Sequence, residues 1–377
     1  IPDTQETNHA SATLQKAQPQ QKILYLAGPH KTGSSTIQYD SKVISKFTEN
    51  WTFIDPWSSK NDEFKVVKLG HEKHFAALLF VLRGQLNHPY FVNQPADGEV
   101  IIEAYRQDIL NNWNNGKSIT VGTEETDFAV ADYEAENGVS GDQVLDGLLS
   151  ILPQNTKNVT EVIIAYRSPR AKHFLSLWKE IGVTMWNHTL QEFIFHTESY
   201  LHFHTIDIMP LVEKFLERGF KVVLVDIGGV KVKKLKMFQL LACHLMQEAC
   251  DASTNVPLFL KSVLKSAELH SALYNDVNVR TEGVMNLNEE QIQQIEETML
   301  RYDCGYKDAV FRNDLLNVIF DDTFSENMNN CDVIGTERLG RKELWKSIQR
   351  IADPARAQKE NMRKVVVLAG PHFSQTN

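Results

Sequence analysis

The chain has 377 residues, of which 42% are hydrophobic and 23% are charged, and its formal net charge is −9. This composition is typical of a globular protein with one large domain or two smaller ones. The acidic balance argues against a general nucleic-acid binder but is compatible with a local basic pocket for an anion. No apolar run in the sequence is long enough to span a bilayer. Ile1 stands where a Met would begin a complete chain, which is compatible with a leader or anchor upstream.

A polar tail precedes the first predicted strand. Residues 1–20 are rich in Gln, Thr and Ala and have no apolar period, so they are predicted to be a tail or linker. The folded part begins at Lys22 with the apolar run Ile23 to Ala27, which ends at Gly28 and predicts a buried parallel strand. Three further runs predict strands: Ser118 to Val121, Val162 to Tyr166 and Phe220 to Val225.

Stretches with helical spacing lie between these strands. They are Ser34 to Phe47, His71 to Leu82, Val100 to Trp113, Arg170 to Ile181 and Ile206 to Arg218. Alternation of strands and helices predicts an α/β domain of three layers around a central parallel sheet, which we assign to residues 21–345. From Lys231 onward the pattern is mostly helical, and this part is expected to pack against the sheet and over its cleft.

A short repeat occurs near the end of the chain. Leu26-Ala27-Gly28-Pro29-His30 recurs as Leu368-Ala369-Gly370-Pro371-His372, again after a lysine and an apolar run. Residues 346–377 are therefore predicted to be a linker followed by the start of a degenerate second module. A single C-terminal strand that shares five residues with the first is the alternative.

The segment after the first strand has the features of a phosphate-binding loop. It reads Gly28-Pro29-His30-Lys31-Thr32-Gly33-Ser34-Ser35-Thr36 and opens a predicted helix. Amide N–H groups at a helix start have no partners within the helix, and the helix dipole favours an anion there. Glycine lets the backbone approach phosphate closely, the hydroxyls add donors, and Lys31 adds a positive charge.

The position of the lysine separates this loop from that of nucleoside-triphosphate hydrolases. In those proteins the lysine follows the last glycine, whereas Lys31 precedes Gly33 by two residues. The segment from Gly28 to Thr36 instead resembles the 5′-phosphosulfate loop of the sulfotransferase superfamily, particularly its carbohydrate and algal or bacterial branches.

A second segment strengthens this resemblance. Val162 to Arg170, followed by a helix that carries Ser176, is similar to the 3′-phosphate element of the same superfamily, in which a strand ends in arginine and a serine follows on the next helix. Arginine offers a planar fork for phosphate oxygens. The interval from Arg167 to Ser176 is one residue longer than usual in the family, and Arg170 is an alternative second ligand. An ordinary strand-to-helix turn with surface arginines is the structural alternative.

The resemblance covers roughly Lys22 to Tyr306 and implies a fold, a donor and a reaction. The fold is a P-loop-NTPase-like domain with a helical C-terminal part, and the sulfuryl donor is 3′-phosphoadenosine-5′-phosphosulfate (PAPS), which becomes adenosine-3′,5′-bisphosphate. The sulfuryl group moves in line to an acceptor hydroxyl or amine, and Lys31 stabilises the leaving phosphate. No metal is expected. The acceptor class is predicted to be a carbohydrate or a small metabolite.

Deprotonation of the acceptor hydroxyl requires a base. Glu124 and Glu125 follow a predicted strand end and resemble an acidic segment at the active-site rim of related enzymes, so they are the first candidates. Acidic residues that offset a helix dipole are the structural alternative. His71, with His74 nearby, is the second candidate, whereas His30 is expected to shape the loop. The run from Tyr200 to His204 could line an acceptor pocket or simply be a packed loop.

The cysteines and sequons bear on the cellular compartment. Cys243, Cys250, Cys304 and Cys331 include no Cys-x-x-Cys pair, so zinc is not expected, and their even number permits one or two disulfides. Sequons begin at three asparagines: Asn50, Asn158 and Asn187. Together they favour a glycoprotein of the secretory pathway or Golgi lumen over a cytoplasmic protein. Chance sequons and buried thiols are the alternative.

Two other functions remain compatible with the sequence. A P-loop kinase-like phosphotransferase would bind phosphate at the same kind of loop, but the position of Lys31 and the Arg167 element disfavour it. A nucleotide-binding relative that has lost catalysis is the other alternative, which intact Lys31, Gly33 and Arg167 disfavour. The repeat from Leu368 to His372 also allows a tandem second module at the C-terminus.

Overall fold

The computed structural model describes most of the chain between residues 20 and 358. The described ranges are 20–28, 34–56, 75–87, 98–123, 126–130, 138–196, 199–203, 205–233, 235–253, 256–259 and 283–358. The repeat at Leu368 to His372 lies outside them.

Six parallel strands form the central sheet, in the order β2-β3-β1-β4-β5-β8. Their bounds are β1 Ile23–Leu26, β2 Trp51–Phe53, β3 Ser118–Gly122, β4 Thr160–Tyr166, β5 Lys221–Asp226 and β8 Leu316–Ile319. A separate antiparallel pair consists of β6 Cys250–Asp251 and β7 Val256–Pro257. The four strands predicted from apolar runs are confirmed as β1, β3, β4 and β5.

Helices lie between the strands and after the last one. In the first half they are α1 Ser34–Ser45, α2 Phe75–Leu82, α3 Glu99–Asn114, α4 Thr126–Ala129, α5 Gly141–Leu149, α6 Arg170–Trp178, α7 Thr184–Trp186 and α8 Leu190–Phe195. In the second half they are α9 Ser199–Phe203, α10 Met209–Glu217, α11 Ile227–Val232, α12 Met237–Gln239, α13 Glu289–Cys304, α14 Asp322–Asn329, α15 Cys331–Ile334 and α16 Arg341–Ala352. A π-helical turn, Lys179–Val183, joins α6 to α7, and another, Leu240–Leu245, continues α12.

Side chains alternate between the two faces along each strand, so apolar strands make both faces of the sheet apolar. Helices cover both of these faces. Ile23 and Tyr25 of β1 belong to a large core with α2, α3, α5, α6, α10 and α13. Leu24 and Leu26 belong to a second core, beneath α1 and α12. The predicted three-layer α/β architecture with a central parallel sheet is therefore confirmed.

Two strands of the sheet were not predicted. β2 has only three residues, and β8 lies in a region whose pattern predicted mostly helix. Both are edge strands with partly exposed residues, so neither has the continuous apolar run that marks a buried parallel strand. The pairing of Val222 with Leu316 nevertheless brings the C-terminal part into the central sheet.

All four cysteines form disulfides. Cys243 pairs with Cys250, next to β6, and Cys304 pairs with Cys331, which joins the end of α13 to α15. The sequence permitted one or two disulfides, and the structure has two.

The predicted boundary at residue 345 falls inside α16. Leu344, Trp345 and Ile348 of this helix are buried in the large core, so the helix and the domain continue past the boundary. Helical residues follow as far as 358, with Ala357 buried, whereas a linker was predicted there. The charged residues of this stretch favoured a linker. A helix can carry charges on one side and still bury its apolar side against the core, so charge content alone does not identify a linker.

Helix α1 carries two buried polar side chains. Gln38 and Asp40 are both 0% exposed, and neither side chain has a hydrogen-bond partner in the part of the chain that the structure describes. Burial raises the pKa of Asp40 to about 8. The cause is desolvation of the charged form, and no cation among the described residues offsets it.

Replacement of Asp40 by Asn is expected to stabilise the protein at neutral pH. The folded protein binds the Asp40 proton up to about pH 8, whereas the unfolded chain releases it near pH 4, so the free energy of unfolding falls with rising pH between these values. Asp40→Asn should remove this fall and raise the free energy of unfolding by about 2–4 kcal/mol at pH 7. Denaturant unfolding from pH 4 to pH 9 measures it, and Asp314→Asn, at an exposed position, is the control. An unchanged pH profile in Asp40→Asn would contradict the assignment.

Candidate anion-binding site at the carboxyl edge of the sheet

The strand order creates a crevice between β1 and β4. From β1 the chain proceeds to β2 on one side of the sheet, and from β4 it proceeds to β5 on the other side. Ligands of open parallel sheets bind outside the carboxyl ends of the strands where the direction of winding reverses in this way. One predicted phosphate-binding segment follows β1 and the other follows β4. The reversal of winding therefore lies between the two strands that lead into them.

Backbone hydrogen bonds hold the two segments together at this edge. The amide of Ala27 donates to the carbonyl of Ile163 at 3.0 Å, and the amide of Ala165 donates to the carbonyl of Gly28 at 3.0 Å. Arg167 follows Ala165 by two residues, at most about 7 Å of extended chain. Gly28 and Arg167 thus emerge side by side from neighbouring strands.

Two glycines permit the close approach of the strand ends. Gly28 has a φ of +97°, which favours glycine over residues with a side chain. Gly122, at the end of β3, has a φ of +123°, and a Cβ atom there would lie 2.3 Å from the carbonyl oxygen of Leu26. Only glycine fits at this contact between β3 and β1.

The predicted phosphate loop is described at its two ends. Gly28 ends the first strand segment, and helix α1 begins at Ser34. His30, Lys31, Thr32 and Gly33 lie outside the described residues, as do the side chains of Ser34, Ser35 and Thr36. The backbone nevertheless has the order of a strand, a positive-φ glycine, a short connection and a helix, all at the reversal point.

Arg167 lies at the turn from β4 to α6 and is partly buried. Burial lowers the pKa of its guanidinium, because the charged form loses hydration. Ala165 contacts the core beneath α1, while Tyr166 contacts the opposite core. β4 ends at Tyr166, so this alternation fixes the residues up to the one before Arg167. A partly buried cation just past the end of β4 is a candidate contact for an anion.

Ser176 lies farther from this edge than Arg167. It occupies a partly buried position in α6, six residues after the helix begins at Arg170. At the rise of an α-helix this is about 9 Å along the axis. The structure therefore brings Gly28 and Arg167 together more closely than it brings either to Ser176.

Arg170 is a structural residue, contrary to the expectation that it shares the phosphate contact. Its side chain is 1% exposed, and its Nε lies 2.9 Å from Oδ2 of Asp303. Its terminal nitrogen donates to the carbonyl of Ile206 at 2.6 Å. Arg170 faces the large core because it begins α6 on the face that packs against α13, and it has no exposure left for a ligand.

The start of α6 is occupied by a carboxylate of the protein itself. Glu296 of α13 accepts hydrogen bonds from the backbone amides of Arg170 and Ala171, the first at 3.0 Å. A negative side chain at a helix start is stabilised by the unpaired amides and by the helix dipole. The first two amides of α6 are therefore already bonded within the protein and are not open to an external anion.

Three residues distant in sequence hold the turn that carries Arg167. Asp303 accepts a hydrogen bond from the hydroxyl of Tyr166 at 3.0 Å, just before Arg167, and Asn327 donates to Oγ of Ser168 at 2.9 Å, just after it. Glu296 fixes the helix that follows. Sequence reasoning missed these three residues, because no local pattern connects α13 and α14 with the end of β4.

The candidate bases lie outside the described residues. Glu124 and Glu125 fall between Thr123 and Thr126, and both of these threonines are buried at the end of β3. The hydroxyl of Thr126 donates to the carbonyl of Thr123 at 2.8 Å. The described chain thus stops at Thr123, just after β3, and resumes at Thr126, the first residue of α4. His71 and His74 also lie outside the described residues.

The proposed acceptor-lining run is partly explained by packing. Phe203 is 1% exposed and packs against Trp345 at a ring-centroid distance of 5.1 Å, and Tyr200 packs against the same indole at 6.2 Å. The side chain of His202, and all of His204, lie outside the described residues. This packing favours the interpretation of the run as a packed segment.

The described residues contain neither a candidate membrane span nor a cluster of metal ligands. None of their helices is long and apolar enough to cross a membrane. No group of three or more His, Cys, Asp or Glu side chains among them could hold a metal ion. In comparisons with known proteins, no family model, no curated protein and no solved structure matches the chain.

The two arginines of the turn are expected to differ in what they stabilise. Arg170→Ala leaves the Asp303 carboxylate buried without its cation, so it should lower the free energy of unfolding by about 3–5 kcal/mol. Arg167→Ala removes a partly exposed side chain and should cost about 1 kcal/mol. Urea unfolding with an unchanged slope measures both values.

A surface arginine provides the control for this comparison. The side chain of Arg312 is 73% exposed and forms a salt bridge with the equally exposed Asp308, so Arg312→Ala should change the free energy of unfolding by less than about 0.5 kcal/mol. Equal losses in Arg167→Ala and Arg170→Ala would contradict the distinction between a ligand-facing and a structural arginine.

Proposed function

We propose that this protein is a sulfotransferase that binds PAPS in the crevice between the carboxyl ends of β1 and β4. One observation carries the proposal. The segments that resemble the 5′-phosphosulfate loop and the 3′-phosphate element follow two adjacent strands, and the winding of the sheet reverses between those strands. Chance resemblance in two separate segments would not require them to meet at the one edge where such sheets bind ligands.

The loop from Gly28 to Thr36 would hold the 5′-phosphosulfate. Gly28 brings the backbone close to the anion, and the unpaired amides of the first turn of α1 donate to its oxygens. Lys31 lies in the connection between them and would approach the oxygen that bridges sulfur and phosphorus. This P-loop-like use of strand, loop and helix is the finer statement of the fold that we propose.

Arg167 would bind the 3′-phosphate. Its lowered pKa reflects lost hydration of the charged form, and its planar guanidinium can donate two charge-assisted hydrogen bonds to phosphate oxygens. Tyr166 and Ser168, held by Asp303 and Asn327, keep the backbone on both sides of Arg167 in place. Ser176 is the weaker partner because of its distance along α6.

The reaction would proceed in line. The acceptor oxygen attacks sulfur, the bond between sulfur and the bridging oxygen breaks, and the electron pair of that bond goes to the leaving phosphate, which Lys31 stabilises. The acceptor proton passes to a base. Glu124 is the first candidate because it follows β3 closely in the chain and resembles the acidic segment of related enzymes, with Glu125 and His71 as the other candidates.

The two disulfides support an oxidising compartment. Disulfides persist in secretory lumens and are rare in the cytosol, so the pairing of all four cysteines favours the secretory pathway or Golgi lumen. In that setting we propose a carbohydrate, or else a small metabolite, as the acceptor.

Nucleotide binding is the first test. Calorimetry with adenosine-3′,5′-bisphosphate should show saturable binding to the unmodified protein without added metal. Lys31→Ala and Arg167→Ala should each weaken the affinity about 10- to 100-fold, since each removes a charge-assisted hydrogen bond of about 1.5–3 kcal/mol.

Lys172→Ala is the matched control for this experiment. Lys172 is an exposed cation of α6 near the same turn, and its removal should leave the affinity within about twofold if the effect is local. Absence of bisphosphate binding would overturn the proposed donor. Tighter binding of magnesium ATP would instead favour the kinase-like alternative.

Catalysis is the second test. In a screen of carbohydrate, phenolic and sterol acceptors with radiolabelled PAPS, loss of the base should lower kcat by about 10²- to 10⁴-fold. Glu124→Gln, Glu125→Gln and His71→Ala are compared, with exposed Glu337→Gln as the control. Full turnover in all three variants would show that the base lies elsewhere. Bisphosphate binding with no transfer to any acceptor would identify a non-catalytic relative.

A further inference from the structure

The three sequons lie in parts of the chain that the structure describes, and each asparagine is exposed. Asn50 precedes β2, Asn158 lies in a short 3₁₀ turn before β4, and Asn187 ends α7. None of the three side-chain amides makes a hydrogen bond within the described residues. An attached oligosaccharide is bulky and needs a surface position, which all three asparagines provide.

The three asparagines also lie away from the candidate anion-binding site. Asn50 and Asn158 stand immediately before strands, so they lie at the amino edge of the parallel sheet, opposite the edge that carries Gly28 and Arg167. β4 has seven residues, which separates its two ends by about 20 Å. Glycans at these two positions would leave the crevice open.

Asn187 is also far from the candidate anion-binding site, although it follows a helical stretch and does not precede a strand. Helix α6, the π-helical turn and α7 form a continuous helical stretch of residues 170–186, which runs away from the turn of Arg167. At helical rise this stretch is about 25 Å long. Asn187 itself has a φ of +53°, a conformation that Asn adopts more readily than most residues.

The disulfides provide an independent observation about the compartment. Asn-x-Thr is modified only in a chain that enters the secretory pathway, and the pairing of Cys243 with Cys250 and of Cys304 with Cys331 requires a similarly oxidising lumen. The described residues include no free cysteine. The sequons and the thiols thus indicate the same environment by unrelated chemistry.

We propose that Asn50, Asn158 and Asn187 are N-glycosylation sites, all three away from the crevice and two of them at the opposite edge of the sheet. In each case the side-chain amide nitrogen attacks C1 of the first sugar of a lipid-linked diphospho-oligosaccharide. The new N–C bond forms, the bond from C1 to the diphosphate oxygen breaks, and its electron pair leaves with the diphosphate. The amide nitrogen loses one proton and remains uncharged.

Mass spectrometry of the full chain tests this directly. The protein is purified from its natural source and, in parallel, from a eukaryotic secretory host. It is then treated with peptide N-glycosidase, which converts each modified Asn to Asp. Conversion at all three sequons is expected, together with a stepwise shift in electrophoretic mobility.

Variants assign each step of the shift. Asn50→Gln and Asn158→Gln should each remove one step. Asn187→Asp should remove the third while keeping a residue that tolerates positive φ. Asn115→Gln is the matched control, because Asn115 is exposed before β3 at the same amino edge and is not in a sequon. It should leave all three steps.

Two results would overturn the proposal. One is unmodified asparagine at the three sequons in protein secreted by the eukaryotic host. The other is natural protein that carries reduced cysteines and no glycan, since that would place the chain in a reducing compartment. Both readouts are masses of the protein, so neither depends on whether PAPS binds.

Discussion

The pairing of β1 with β4 is the constraint on which the rest of the site depends. These strands are adjacent in the sheet although more than a hundred residues separate them in the chain, and their ladder continues past the last strand residue of β1 through the bond from Ala165 to Gly28. Parallel strands end at the same edge, so the pairing delivers the glycine loop and Arg167 to one place. The reversal of winding at this point leaves the edge uncovered by a crossover connection.

Burial of charge on the other face of the sheet keeps that edge in position. Arg170, Asp303 and Tyr166 form a dehydrated cluster that would be costly to leave half-paired, and Glu296 satisfies the amides at the start of α6. The disulfide from Cys304 to Cys331 joins the helix of Asp303 to the helices that carry Asn327 and its neighbours. The C-terminal helices therefore act as a support for a turn that lies far away in the sequence, and Arg167 is the partly buried arginine of that turn.

Because all six strands of the central sheet run in the same direction, the sheet has a carboxyl edge and an amino edge, which carry different candidate sites. Gly28 and Arg167 follow strand ends at the carboxyl edge, whereas turns before the strands carry two of the three sequons. Asp40 is the unexpected member of this arrangement, a carboxyl buried in α1 without a partner among the described residues. Its raised pKa means that the helix behind the loop is most stable when that carboxyl is protonated.

Local sequence was enough for the four central strands, for the five helices α1, α2, α3, α6 and α10, and to single out the two candidate phosphate segments, because apolar runs, helical spacing and glycine-rich turns are local patterns. It did not reveal β8, whose partly exposed residues resemble a loop, nor the continuation of α16 beyond residue 345. It also could not distinguish Arg167 from Arg170. Both arginines follow the same strand, and their roles differ only because Asp303, brought by the tertiary fold, neutralises one of them in the core. The sequence alone identified the segment that begins at Gly28 as a candidate loop. That Gly28 lies beside the strand leading to Arg167 was decided by the pairing of β1 with β4, which depends on burial over the whole sheet.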